Sequence, residues 1–126
     1  MDGTFLKDNS SQNLGTAITL DNPNLSTTDK IKALISSSDV FLFMKGTPDF
    51  PRCGFSANTV DILNRTNVSF NSFDILTDME LRESVKEFSN WPTYPQLFFK
   101  GELLGGNDII TQMHSEGELE KTLKKA

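Results

Sequence analysis

The sequence predicts an α/β fold, with a mixed four-stranded sheet and helices on both faces. Three observations predict it. Val40-Phe41-Leu42-Phe43-Met44 is an unbroken apolar run of five, suited to a strand buried on both faces. A segment of helical period separates it from a second strand-like run, Phe70 to Ile75, and a helical crossover between two strands makes them parallel. Gln96 to Phe99 and Glu102 to Leu104 flank Lys100-Gly101 at the spacing of a tight hairpin.

The elements follow in order. Residues 1–28 are rich in Ser, Asn, Thr, Asp and Gly and hold no persistent period, so they read as a disordered extension or linker. The folded domain is assigned to 29–126. Asp29 is a candidate cap for a short helix with Ile31, Leu34 and Ile35 on one face, ended by Ser36-Ser37-Ser38. After the first strand, Pro48 and Pro51 punctuate a loop that starts at Gly46. A helix is expected from near Cys53 to about Thr66, with Ala57, Val60 and Leu63 inward. Asp78 opens another, with Leu81, Val85 and Phe88 on one face. Asn90 to Pro95 reads as a loop. Gly105-Gly106 turns sharply into a helix from about Asn107, and Gly117 separates it from a last amphipathic helix carrying Leu119 and Leu123.

Composition narrows the function. The chain of 126 residues carries a formal charge of -5, which disfavours nucleic acid as a partner. No apolar run approaches the roughly 20 residues of a membrane-spanning helix, so no membrane partner is expected. The extension has no Arg and carries Asp2, Asp8 and Asp21 against Lys7, unlike an Arg-rich, acid-poor transit peptide. An intracellular, reducing compartment is expected, the cytoplasm ahead of the mitochondrion. Cys53 and His114 are the one cysteine and the one histidine. An intrachain disulfide is therefore excluded, and so is a Cys/His zinc site, which needs about four ligands. Any metal bound through sulfur must draw further ligands from outside the chain.

Cys53 carries the chemistry. It lies in Lys45-Gly46-Thr47-Pro48-Asp49-Phe50-Pro51-Arg52-Cys53-Gly54-Phe55-Ser56, just past the carboxyl end of the first strand, where open α/β sheets tend to place ligands. The positive end of the following helix and the Lys45 ammonium both favour the thiolate, which makes Cys53 a better nucleophile or metal ligand. Ser56 stands where a dithiol motif has its second cysteine. A hydroxyl cannot resolve a mixed disulfide, so exchange must finish with an external thiol, for which glutathione is the abundant intracellular candidate.

Three separated motifs match a known family: Lys45-Gly46 with Pro48, Pro51 and Cys53-Gly54-Phe55-Ser56; Trp91-Pro92-Thr93-Tyr94-Pro95-Gln96; and Gly105-Gly106 with Asp108. In these, residues 29–126 resemble the monothiol, CGFS-type glutaredoxins, which have the thioredoxin-like fold. The resemblance implies a glutathione site formed by Lys45, Cys53, Phe55, Arg82, Tyr94, Pro95, Gly106, Asn107 and Asp108. Lys45 and Arg82 would hold the glycine carboxylate, although by itself Arg82 reads as a solvated helix charge beside Glu83. Tyr94-Pro95 resembles a cis bond that leaves the Tyr94 backbone free to pair with glutathione, although by itself Pro95 reads as turn punctuation. Gly105-Gly106-Asn107-Asp108 has two readings from its residues. One is a plain turn with Asp108 as helix cap. The other is a helix start open to the γ-glutamyl carboxylate, with Asp108 receiving the ammonium. The resemblance favours the second. Trp91 reads better as a structural residue than as a site lip.

The family also implies a [2Fe–2S] cluster. Such a cluster usually needs four thiolates, and one chain offers one, from Cys53. Two chains and two glutathione molecules supply four, so the expected state is a cluster-bridged homodimer that is a monomer without cluster. The function implied is cluster binding and transfer between donor and acceptor proteins, in iron and redox homeostasis. The alternative is a glutathione-dependent thiol-disulfide oxidoreductase that removes glutathione from proteins. The family implies that this activity is weak at most. A third reading is an adaptor module cut from a longer multidomain chain.

Overall fold

The computed structural model describes residues 15–17 and 25–124. Most of the extension, 1–14 and 18–24, and the last two residues lie outside the described residues. The four expected strands are present: β2 Val40–Met44, β3 Phe70–Asp74, β4 Gln96–Phe99 and β5 Glu102–Gly105. A short fifth, β1 Gly15–Ala17, comes from the segment in which the sequence suggests no element. The sheet order is β1-β3-β2-β4-β5. β3 runs parallel to β1 and to β2, while β4 is antiparallel to β2 and to β5.

Central β2 divides its side chains between two cores. Phe41 and Phe43 face one, with Phe73, Phe98 and the buried faces of α1 Thr27–Ile35 and α3 Met79–Ser89. Val40, Leu42 and Met44 face the other, with α2 Gly54–Thr66, α4 Asn107–Ser115 and α5 Glu118–Leu123. Every β2 residue is buried, as the unbroken apolar run requires. Edge-to-face contacts of Phe41 with Phe43, and of Phe43 with Phe98, fill the first core. This is the thioredoxin-like arrangement, with helices on both faces of a mixed sheet.

Local corrections have physical causes. α1 starts two residues before the expected boundary at 29, because Ser26, not Asp29, is its cap: the Ser26 hydroxyl oxygen accepts the Asp29 N–H at 3.1 Å. The second strand stops at Asp74, and Ile75–Thr77 form a 3₁₀ turn capped by the Asp74 carboxylate. Ala57 is exposed, and Ser56, Thr59, Ile62 and Thr66 join Val60 and Leu63 on the inner face of α2. Small hydroxyl residues suit a helix that must lie close to α4. Phe88 is 41% exposed while Leu81 and Val85 are buried. Asp78 does cap α3, accepting the Leu81 N–H at 3.0 Å. Lys100 and Gly101 both have positive φ, as a two-residue type I′ hairpin turn demands.

The segment from β2 to α2 sets the position of Cys53. Gly46 has φ +92°, and its N–H donates to Asp74 Oδ1 at 2.9 Å. Asp74 thereby ties the end of β3 to the loop leaving β2. The loop folds back so that the Arg52 N–H reaches the Lys45 carbonyl at 2.9 Å. A Cβ on Gly46 would lie 2.4 Å from the Phe50 carbonyl oxygen and 2.7 Å from the Arg52 nitrogen, both backbone atoms. Gly46→Ala is expected to destabilise the protein by about 2–4 kcal/mol, measured by urea unfolding. A loss below about 0.5 kcal/mol would mean that the loop adapts freely.

Candidate functional site

A groove of about 430 Å³ opens at the carboxyl end of the parallel strands. Eight of the nine residues assigned from sequence line it: Lys45, Cys53, Phe55, Arg82, Tyr94, Gly106, Asn107 and Asp108. The ninth, Pro95, is buried and does not line it. The Tyr94-Pro95 bond is cis, and the Pro95 carbonyl oxygen lies 3.2 Å from where a Cβ on Gly106 would sit. Trp91 lines the groove and also packs on Gly106, its Nε1 3.1 Å from the same point. A side chain at 106 would crowd both neighbours, which would have to give by a few tenths of an ångström.

Cys53 is half-buried at the N-cap of α2. Burial is the largest influence on its thiol and pushes the pKa up. The N–H groups of Ser56 and Phe55, the Lys45 ammonium and the Ser56 hydroxyl all favour the thiolate, and together they prevail. The thiol therefore titrates below its ordinary range. Ser56 is fully buried, and its oxygen accepts the Lys45 backbone N–H at 3.1 Å. Its hydroxyl proton is left for the sulfur. From sequence Ser56 reads only as a missing second thiol. Its burial on the α2 inner face, three residues after the N-cap, is the signal for this further role.

Cationic side chains and an uncapped helix start both line the groove. At one end are Lys45 at the exit of β2 and Arg82 and Lys86 one turn apart on α3. Lys86 is 3.1 Å from Glu83. Among the described residues, neither Lys45 nor Arg82 has a carboxylate within ion-pair distance, and the one side-chain contact of the Arg82 guanidinium is Met79 sulfur at 4.0 Å. Lys86 is absent from the sequence assignment, although its position four residues after Arg82 puts it on the same helix face.

At the other end is the start of α4. Asp108 lies in its first turn, yet no side chain caps this helix, so the plain-turn reading with Asp108 as cap does not describe it. Its first N–H groups are left without helical partners. The Asn107 carboxamide oxygen is taken by α2, accepting from Asn58 Nδ2 at 2.9 Å and Thr59 Oγ1 at 3.0 Å. Asn107 can therefore serve a ligand through its backbone. Phe55 projects at the rim, 63% exposed. Among the described residues no group of His, Cys, Asp and Glu can hold a metal ion, and no helix is long and apolar enough to cross a membrane.

Residues 40–104 match the glutaredoxin family model. A monothiol glutaredoxin (ycf64-like) of Synechocystis is 45% identical over 103 residues, covering 82% of this chain and 96% of that protein. The chain belongs to the monothiol glutaredoxin family. The glutaredoxin is 60% identical over 97 residues to monothiol glutaredoxin-S17 of Arabidopsis thaliana, covering 77% of this chain and 20% of that protein. Against glutaredoxin 3 of Danio rerio it is 49% identical and spans 32% of the relative. The matched segment thus spans a fifth to a third of the length of these relatives. The solution structure of reduced poplar apo GrxS14 superposes with a TM-score of 0.72 at 44% identity, covering 79% of this chain and 92% of that one.

The depressed thiol pKa makes a reactivity prediction. Alkylation of Cys53 rises with pH as thiolate forms, so a lowered pKa moves the profile to lower pH. Its midpoint is expected below the free-cysteine value of about 8.5. Lys45→Glu, which replaces an attractive charge by a repulsive one, is expected to move it upward. A wild-type midpoint at or above the free value would refute the assignment.

Proposed function

We propose that this glutaredoxin binds glutathione in the groove and carries a labile [2Fe–2S] cluster between two chains, for transfer to acceptor proteins. The observation that carries the glutathione reading is the match of charges along the groove. Glutathione has a carboxylate at each end, an ammonium beside one of them and a thiol in the middle. Lys45 and Arg82, free of carboxylate partners among the described residues, suit the glycine carboxylate. The uncapped start of α4 suits the γ-glutamyl carboxylate, and Asp108 suits its ammonium. Cys53 lies between the two ends, where the ligand's sulfur belongs. The Tyr94 backbone faces the peptide middle in this reading, with Pro95 behind it.

The cluster reading rests on a count. One half-exposed thiol per chain cannot hold two irons, and among the described residues no second metal-binding group exists. Two Cys53 thiolates and two glutathione thiolates give the usual four. Phe55, exposed at the groove, and Phe50, exposed in the loop that leads to Cys53, suit a face that closes against a second copy only when the cluster joins them. A cluster half-held by small molecules is cargo that can be released.

The thiolate-favouring surroundings of Cys53 support a second reading, removal of glutathione from proteins. Cys53 thiolate attacks the glutathione sulfur of a mixed disulfide, the protein thiolate leaves, and Cys53 becomes glutathionylated. A second glutathione thiolate then attacks that sulfur, forming glutathione disulfide and returning the Cys53 thiolate. Ser56 cannot replace this external thiol. Slow turnover is expected because the step depends wholly on it.

Anaerobic reconstitution with iron, sulfide and reduced glutathione is expected to convert a monomer into a dimer with two irons and two glutathiones. Light scattering, iron analysis and visible absorption check this together. Cys53→Ser is expected to abolish cluster and dimer, and omission of glutathione to do nearly the same. A monomer holding two irons, or a cluster that survives Cys53→Ser, would overturn the ligand assignment.

A further inference from the structure

We infer that the Tyr94 hydroxyl is a positioning group for Arg82, setting how tightly the groove grips the carboxylate at its cationic end. The inference rests on the glutathione reading above.

The Tyr94 ring is buried among the core residues beneath α3, and its hydroxyl donates to the Arg82 carbonyl at 2.7 Å. Arg82 lies inside α3, so its carbonyl already has the amide four residues on as its helical partner. The phenol uses the second lone pair. Two hydrogen bonds join the segment 91–95 to α3 among the described residues. One, from the Trp91 N–H to the Lys86 carbonyl at 3.1 Å, is the local closure that follows Asn90 in its left-handed conformation. The other is the Tyr94 bond, which spans 12 positions and reaches the first turn of the helix.

Both partners line the groove. Arg82 comes from α3 and Tyr94 from the segment before β4. The phenol therefore fixes the spacing between these two walls at the residue whose guanidinium meets the ligand. Among the described residues, the one hydrogen bond on that guanidinium is the 4.0 Å contact with Met79 sulfur. Its placement thus depends on where the backbone holds it. Burial, aided by Glu83 and opposed by Arg82, pushes the Tyr94 pKa up, so the phenol stays a donor throughout the physiological range. Phenylalanine at this position keeps the packing and removes only the donor, and it leaves no orphaned carbonyl.

The test uses two thiols that differ at one end. γ-Glutamylcysteine lacks the glycine residue of glutathione, so its carboxyl end cannot reach Arg82 in the same way. The equilibrium between Cys53 and each disulfide, read by mass spectrometry as the fraction of mixed disulfide, gives a preference ratio for glutathione. Tyr94→Phe is expected to lower that ratio about threefold to tenfold, the effect of one hydrogen bond. Arg82→Gln should lower it further. Adding Tyr94→Phe to Arg82→Gln should change nothing more, because the phenol acts through the guanidinium. The Cys53 alkylation midpoint should stay unchanged in Tyr94→Phe. If Tyr94→Phe weakens both thiols equally, or leaves the ratio untouched while Arg82→Gln changes it, the positioning role is wrong and the glutathione reading stands. If Arg82→Gln leaves the ratio unchanged, the assigned glutathione orientation is wrong, and the positioning role falls with it.

Discussion

The site depends on one hydrogen bond between the end of a strand and the first turn of a helix. The Lys45 backbone N–H donates to Ser56 Oγ at 3.1 Å, and Ser56 is fully buried. That contact fixes the start of α2 against the exit of β2. Cys53 at the N-cap inherits its place from it, and so does the distance between its sulfur and the Lys45 ammonium. Because the serine oxygen accepts from Lys45, its proton is available to the sulfur. The same side chain thus joins the two elements and favours the thiolate. The loop between them is held by Gly46 against Asp74, so β3 takes part in the same arrangement.

Around this junction the groove walls come from elements far apart in sequence. The β2 exit and α3 supply the cations Lys45, Arg82 and Lys86, and further lining comes from the segment through Trp91 and Tyr94 and from the uncapped start of α4. Each wall is tied by its own bonds. Tyr94 reaches α3 through Arg82, and Asn107 is clasped by Asn58 and Thr59 of α2. Groove shape therefore rests on side chains that do not meet the ligand through those groups. Lys45 and Arg82, without carboxylate partners among the described residues, and a helix start with no side-chain cap offer position as well as charge to a ligand of the proposed kind.

Much of this was legible in the sequence. The five-residue apolar run marked the central strand, because a strand covered on both faces has that pattern. Lys100-Gly101 marked the hairpin through a turn type that needs positive φ at both positions. The family resemblance carried by the three motifs assigned nine residues, and eight of them line one groove. What escaped the sequence was mostly tertiary. Asp74 looks like the end of a strand, and only the fold brings it to Gly46. Lys86 shares a face with Arg82, but helical period alone does not say that this face borders a groove. Asn107 looks like a ligand residue, yet its side chain serves α2. β1 is three residues long and pairs at the edge, too short for a period to register. Phe88 fits the apolar face of α3 by spacing, but the core beneath that turn ends before it.

The most direct measurement of the central claim is an experimental structure of the chain with glutathione disulfide-bonded to Cys53. The glycine carboxylate is expected within hydrogen-bond distance of Arg82 and Lys45. The γ-glutamyl carboxylate should lie on the first N–H groups of α4, with its ammonium at Asp108. Glutathione lying in the opposite direction, or bound by Cys53 alone with both carboxylates in solvent, would contradict the account.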